Sequence, residues 1–168
     1  MPQLSTIKIY LFYCISVILL LIKYAPYSVS SFYSYFPLIE ICFIFYFYVF
    51  RTNYAVYLLI FLMTIIFDTI DNNIIGSTAL IVFLTLYIFA FQKKLFWYNN
   101  FKEIWIGFTV FLIEFNIIKI LIYFLVNQSY TDFQNLIYVN IITILFYPIL
   151  HNIFYYLSLL LEKNHDPA

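Results

Sequence analysis

The sequence predicts an all-α integral membrane protein with about six transmembrane helices. Of its 168 residues, 65% are hydrophobic and only 10% are charged, whereas a soluble domain is about 25% charged. A chain of this length has too small an interior to bury so much apolar surface. The apolar runs are continuous rather than alternating, which favours helices over a β-barrel. Helices of about 20 residues each leave little chain for anything else, so residues 1–168 are expected to form a single polytopic membrane domain.

The first three predicted spans cover approximately residues 7–22, 31–50 and 53–70. No small-residue cleavage site follows the first span, so it is interpreted as a retained helix rather than a signal peptide. Pro37 is expected where the second span begins, because its missing N–H is harmless in the first turn of a helix. The apolar cores of the second and third spans are short, and together they are predicted to form a tight helical hairpin around Arg51.

The last three predicted spans cover approximately residues 74–91, 104–126 and 135–161. Asp71, Asn72 and Asn73 precede the fourth span and are good residue types for its N-cap. Gly76 falls in the first turn of that span, where a small residue is expected to permit close approach of another helix. Pro148 is expected to bend the sixth span.

The positive charges predict the orientation of the six spans, because Lys and Arg accumulate on the cytoplasmic side. One side of the membrane would carry Lys8, Arg51, Lys93, Lys94, Lys102 and Lys163, and the opposite side would carry only Lys23. Both termini are therefore expected in the cytoplasm.

The fifth span contains three polar side chains, Glu114, Asn116 and Lys119. Lys119 lies near the outer end and can extend its ammonium group to the interface. Glu114 is near the middle, so it is expected either to be protonated or to face polar groups inside the bundle. A polar packing or partner-docking contact is one interpretation of this set, and a pathway for protons or a solute is the other.

Other polar side chains point to structural roles. Asp68 and Asp71 are three residues apart and suit either helix capping or a divalent cation at the membrane surface. His151 has no second ligand near it in sequence, which favours a packed histidine over a metal ligand. The sequence contains no catalytic triad, no zinc-protease motif and no glycine-rich phosphate loop. These observations predict a protein that is not an enzyme and has no cofactor, no metal and no nucleic-acid partner.

Four sequence features occur in the order found in a known family. A proline opens the second span in Tyr35-Phe36-Pro37-Leu38, and Asp68 is followed eight residues later by Gly76. The last span contains Asn140 and then Phe146-Tyr147-Pro148. With the acid in the fifth span, these features resemble the bacterial rod shape-determining protein family MreD over approximately residues 25–160. The chain departs from the family at Asp71-Asn72-Asn73, where many members are rich in glycine and serine.

The resemblance implies a non-enzymatic scaffold in the bacterial inner membrane, which supports cell shape and lateral-wall peptidoglycan synthesis. The implied partners are MreC above all, then MreB, RodA and a class B penicillin-binding protein, together with membrane lipid. The family fold resembles the six-helix substrate-binding subunit of energy-coupling-factor transporters, so the alternative is a subunit that binds a vitamin-type solute. A lipid-modifying enzyme is a third option that lacks a catalytic constellation. The candidates for structural or partner contacts are Pro37, Asp68, Gly76, Glu114, Asn116, Lys119, Asn140 and Pro148.

Overall fold

The computed structural model describes residues 37–50, 54–71, 73–92, 100–125 and 133–162. These residues form five α-helices and no β-strands: α1 (Ile39–Phe50), α2 (Tyr54–Ile70), α3 (Ser77–Gln92), α4 (Phe101–Leu125) and α5 (Phe133–Glu162). The prediction of an all-α chain is therefore confirmed for this part of the sequence. The predicted first span, and every basic residue used for the orientation except Lys102, lie outside the described residues.

Two of the helices are long and apolar enough to cross a membrane. They are α4, with 25 residues, and the 23-residue stretch Gln134–Tyr156 of α5. The other three helices are apolar but shorter, with 12 residues in α1, 17 in α2 and 16 in α3. The number of membrane crossings stays a prediction.

Helix α1 lies at the centre of the bundle. All eight consecutive residues 41–48 are buried, and eight residues are more than two turns, so α1 is covered in every direction. A helix in this environment needs no polar face, which explains why its sequence is apolar all round. The Phe45 ring lies 5.3–5.8 Å, between centroids, from Phe89 of α3, Phe108 and Phe111 of α4, and Tyr147 of α5.

Contacts between α1 and α5 show that these two helices run in the same direction. The Leu38 N–H donates to the Thr143 hydroxyl at 3.0 Å, and eight residues later the Tyr46 ring lies 5.7 Å from His151. Residues further along α1 therefore contact residues further along α5.

Helix α4 runs in the opposite direction to α5. The Trp105 indole contacts Ile144, whereas Asn116, further along α4, contacts Asn140, an earlier residue of α5. Helices α1 and α5 therefore run in one direction and α4 runs in the other. A polar side chain takes part in the contact of α5 with each of the other two helices.

Candidate functional site

The carboxylate of Asp68 binds the N-terminus of α3. Asp68 is completely buried at the end of α2, and its Oδ2 accepts the Gly76 N–H at 2.7 Å. The Thr78 N–H lies 3.2 Å from both carboxylate oxygens, and the Ser77 hydroxyl lies 3.4 Å from Oδ1. The first N–H groups of a helix have no partner within the helix, and the helix dipole favours a negative charge there. Asp68 therefore caps α3 from across the turn.

The prediction that Asp71, Asn72 and Asn73 supply the cap of this helix is wrong for the residues that can be checked. Asp71 is exposed, and Asn73 instead donates its N–H to the Asp68 carbonyl at 2.9 Å. This hydrogen bond joins residues that are five apart, instead of four apart as within the helix, so Asn73 helps to terminate α2. Asn72 lies outside the described residues. The start of α3 lies against the end of α2, so the Asp68 side chain can reach the N–H groups of Gly76 and Thr78 and cap α3.

Gly76 has a backbone conformation that favours glycine. Its φ is +90°, a value that residues with a Cβ rarely adopt. Its carbonyl accepts the Leu80 N–H at 2.9 Å, which places Gly76 at the N-cap of α3. A Cβ built on Gly76 would meet no atom of the described residues within 4 Å. Gly76 thus lies just before the first turn of α3 rather than in it, and within the described residues the observation that calls for glycine is its backbone conformation.

Asn116 and Asn140, both singled out from the sequence, contact each other. The Asn116 Nδ2 donates to Asn140 Oδ1 at 3.0 Å and to the Leu112 carbonyl, one turn earlier in α4, at 2.6 Å. Asn116 is buried. A buried amide is costly unless it is hydrogen-bonded, and this contact satisfies it while joining α4 to α5.

Pro148 lies inside α5 and leaves a carbonyl that another helix satisfies. A proline has no N–H, so the carbonyl four residues earlier, that of Ile144, loses its helical partner. The Trp105 indole Nε1 of α4 donates to this Ile144 oxygen at 3.0 Å. Beside it, the rings of Phe108 and Tyr147 are stacked at 4.0 Å between centroids. The proline and the tryptophan thus form one contact between α4 and α5.

A side chain of another helix also binds the backbone at the start of α1. Pro37 is buried and lies two residues before the helix, rather than in its first turn. The N–H of the next residue, Leu38, donates to the Thr143 hydroxyl of α5. Thr143 in turn donates to the Val139 carbonyl at 2.6 Å. The first turn of α1 is therefore held by a side chain that is 105 residues away in sequence.

Glu114 has a polar partner, as one of the two sequence alternatives expected. The Gln92 side-chain amide, at the last residue of α3, donates to Glu114 Oε1. The second oxygen, Oε2, is covered by protein and has no hydrogen-bond partner in the described residues. Lys119 contacts Tyr123 one turn further along α4, with its Nζ 5.8 Å from the ring centroid, a cation–π distance.

His151 is a packed histidine surrounded by aromatic rings. Its ring centroid lies 5.4–5.8 Å from those of Tyr46, Phe50, Phe101 and Tyr147. Its Nδ1 is buried without a hydrogen-bond partner in this part of the chain. The described residues contain no group of three or more His, Cys, Asp or Glu side chains that could hold a metal ion.

Three residues of this site were missed by the sequence analysis. Trp105 and Thr143 look like ordinary residues of an apolar helix, and Gln92 reads as the start of a connecting loop. One signal was available for Trp105, because Pro148 requires an outside donor for Ile144. The chain matches no family model, no curated protein and no solved structure. The contacts between helices are therefore the observations that bear on function.

Proposed function

We propose that the protein is a non-enzymatic scaffold of the bacterial inner membrane, acting with MreC in the cell-elongation (rod) complex. The observation that carries this proposal is the contact between Asp68 and Gly76. These are the two residues of the motif that most resembles the MreD family, and they are joined by a 2.7 Å hydrogen bond. The Asp68 carboxylate is buried and accepts hydrogen bonds from three residues at the start of α3, which supports a structural role for it.

The other residues of the resemblance support the same role. Asn140 binds Asn116, and Pro148 exposes a carbonyl that binds Trp105. Each contact joins two helices and occupies polar groups. These groups are then not available to bind a solute or to take part in a reaction. A bundle whose helices are joined by such contacts suits a protein whose task is to hold partners.

In this proposal the chain crosses the membrane six times, with both termini in the cytoplasm. The directions of the helices support this topology. If α1, α4 and α5 are the second, fifth and sixth spans, alternating crossings require α1 and α5 to run together and α4 to run against them, as their contacts indicate. MreC is the main partner, and MreB, RodA and the class B penicillin-binding protein belong to the same complex.

Complementation tests the proposal directly. The chain is expressed together with the MreC of its own genome in a rod-shaped bacterium depleted of its own MreD and MreC. We expect recovery of rod shape, and we expect MreC to co-purify with the chain. A chain that reaches wild-type levels in the membrane, restores no shape and binds no MreC contradicts the proposal.

The substrate-binding subunit of a small-molecule transporter is the second candidate. Glu114 favours it, because Oε2 is a covered oxygen for which the described residues supply no donor. Mass spectrometry of the purified protein separates the candidates. A transporter subunit retains a small molecule in stoichiometric amount, whereas a scaffold retains a protein.

A further inference from the structure

Helix α5 carries a continuous row of exposed side chains opposite its contacts with α1 and α4. We call this row the outer stripe, and it consists of Gln134, Tyr138, Ile141, Leu145, Ile149, Asn152 and Tyr156. Successive members are three or four residues apart, so they line up along one side of the helix. The buried residues Thr143, Tyr147 and His151, which contact the other two helices, lie about half a turn away.

The outer stripe is long enough to extend through a bilayer. It coincides with the 23-residue apolar stretch Gln134–Tyr156, which is about 34 Å long at a rise of 1.5 Å per residue. The hydrocarbon of a typical bilayer is about 30 Å thick. In the membrane placement proposed above, the stripe therefore faces outward from the bundle over the full depth of the hydrocarbon.

Asn152 places a side-chain amide on this otherwise apolar surface. Leu145 is the middle residue of the stretch Gln134–Tyr156, and Asn152 lies about 10 Å from it, within the hydrocarbon half-thickness of about 15 Å. Asn152 is exposed, and no hydrogen bond joins its side chain to another described residue. An amide in hydrocarbon is costly without a hydrogen-bond partner, so Asn152 calls for a partner from outside the described bundle.

Amides inside the bundle and on its other faces are arranged differently. Asn116 and Asn140 bind each other between α4 and α5, and Gln92 binds Glu114. Among the described residues of the other four helices, no exposed one is an asparagine or a glutamine. The outer stripe of α5 is thus the described helix face on which polar and apolar groups together suit another helix, since both kinds of contact join helices in membranes.

A second copy of the chain supplies a matching group for Asn152. An asparagine amide carries both donors and an acceptor, so one asparagine can bind another. Two copies inserted in the same orientation have parallel α5 helices, and a two-fold axis along the membrane normal places each residue opposite its own counterpart. Asn152 then meets Asn152 at the same depth. One asparagine within an apolar seam of three- and four-residue spacing also fixes the register of parallel helix pairs.

We propose that the outer stripe of α5 is the interface of a parallel dimer, in which Asn152 of each copy binds Asn152 of the other. This inference rests on the membrane placement proposed above, and it gives the proposed scaffold two copies of the chain. The apolar stripe residues Tyr138, Ile141, Leu145 and Ile149 pack along the same seam. A partner of another kind would have to bring a polar group to the depth of Asn152, whereas a second copy always does.

Disulfide formation by single-cysteine variants tests the geometry of the dimer. Leu145→Cys lies on the outer stripe two turns before Asn152, and Ile117→Cys on the exposed face of α4 is the matched control. The two residues are similarly exposed, at 64% and 58%. Cys14 is replaced by alanine in both variants, and Cys42 is retained because it is completely buried. The purified chain is reconstituted at low density in phosphatidylcholine vesicles and oxidised with copper phenanthroline.

We expect the linked dimer to form several-fold faster at Leu145→Cys than at Ile117→Cys, because a disulfide requires Cβ atoms about 3.5–4.5 Å apart. Equal rates at the two positions would indicate random collision and overturn the inference. Absence of cross-linking at Leu145→Cys also overturns it, because lipid or another part of the chain then covers the outer stripe.

Substitution of Asn152 tests the hydrogen bond within the dimer. Copies fused after Ala168 to a donor or an acceptor fluorescent protein report dimerisation by energy transfer as the vesicles are diluted with lipid. We expect Asn152→Leu to weaken dimerisation about three- to tenfold, the effect of one hydrogen bond between helices in a membrane. Asn152→Gln keeps an amide and should weaken it less. Residue 152 is exposed, so neither change alters the core, and an undiminished dimer in Asn152→Leu overturns the pairing.

Two further readouts separate this inference from the proposals on which it rests. A monomeric chain that alkaline carbonate does not extract from the vesicles overturns the dimer and leaves the membrane placement intact. A chain that carbonate extracts overturns the placement and the dimer with it. A dimeric chain that neither restores rod shape nor binds MreC overturns the scaffold and leaves the dimer standing.

Discussion

At the scale of single residues, several polar groups of the described helices find their hydrogen-bond partner on another helix. Trp105 shows the consequence most clearly, because its N–H replaces a bond that Pro148 removes from α5. We expect Trp105→Phe to lower the free energy of unfolding by about 1–3 kcal/mol, since the Ile144 carbonyl is then left without a donor. Unfolding of the purified protein in mixed micelles measures this loss.

The double variant with Pro148→Ala is the control for this mechanism. Pro148→Ala restores a backbone N–H that can bond to the Ile144 carbonyl within α5, so the tryptophan is no longer needed as a donor. The penalty of Trp105→Phe should therefore shrink in that background. An equal penalty in both backgrounds would mean that packing of the indole ring, rather than its hydrogen bond, is what matters.

Gly76 gives a second prediction at this scale, and it concerns side-chain size. Its φ of +90° is strained for any residue with a Cβ, but no atom of the described residues lies within 4 Å of a Cβ built there. Gly76→Ala and Gly76→Leu should thus both lower the free energy of unfolding by about 1–2 kcal/mol. Gly76→Asn should cost less, because asparagine tolerates positive φ. A leucine variant that is far less stable than the alanine variant would instead indicate close packing at this position.

At the scale of helices, the start of α1 depends on a side chain of α5. The Thr143 hydroxyl accepts the N–H of Leu38, the N-cap residue of α1, as the N3 side chain does in a capping box. We expect Thr143→Val to destabilise the protein by about 1 kcal/mol and to speed amide hydrogen exchange at Leu38. Thr143→Ser keeps the hydroxyl and should preserve the slow exchange. If exchange at Leu38 is the same in the valine and serine variants, Thr143 does not cap α1.

Helices were more predictable from the sequence than the contacts between them. The apolar runs and the polar segment after Asp68 indicate where helices occur, because hydrocarbon tolerates little else. The partners of Leu38 and Ile144 could not be predicted, since Thr143 and Trp105 have no special pattern and depend on packing. A polar residue after an apolar run is typical of a loop, so the sequence places Gln92 outside the predicted fourth span. The structure shows that it ends α3 and binds Glu114.

At the scale of the whole molecule, the proposed six-span topology makes a prediction about the C-terminus. Six crossings place both termini on the side rich in Lys and Arg, which is the cytoplasm. Alkaline phosphatase, which is active only in the periplasm, should therefore be inactive when fused after Ala168. A fusion to a fluorescent protein that matures in the cytoplasm should be bright at the same expression level. The reverse pattern would contradict a cytoplasmic C-terminus, because it requires either an odd number of spans or the inverted orientation.

Glu114 separates a scaffold from a transporter, because the two functions need different properties of the same side chain. In a scaffold, the task of Glu114 is to accept the hydrogen bond of Gln92, and Glu114→Gln keeps an oxygen that can do so. Glu114→Leu removes the acceptor and leaves the Gln92 amide unpaired, at a cost of about 1–3 kcal/mol. We therefore expect Glu114→Gln to restore rod shape like the wild type, and Glu114→Leu to restore it less well, when the variants are compared at equal membrane levels. A proton- or cation-coupled transporter needs the ionisable group itself, so Glu114→Gln would then fail as completely as Glu114→Leu. A glutamine variant that is stably inserted but inactive would count decisively against the scaffold.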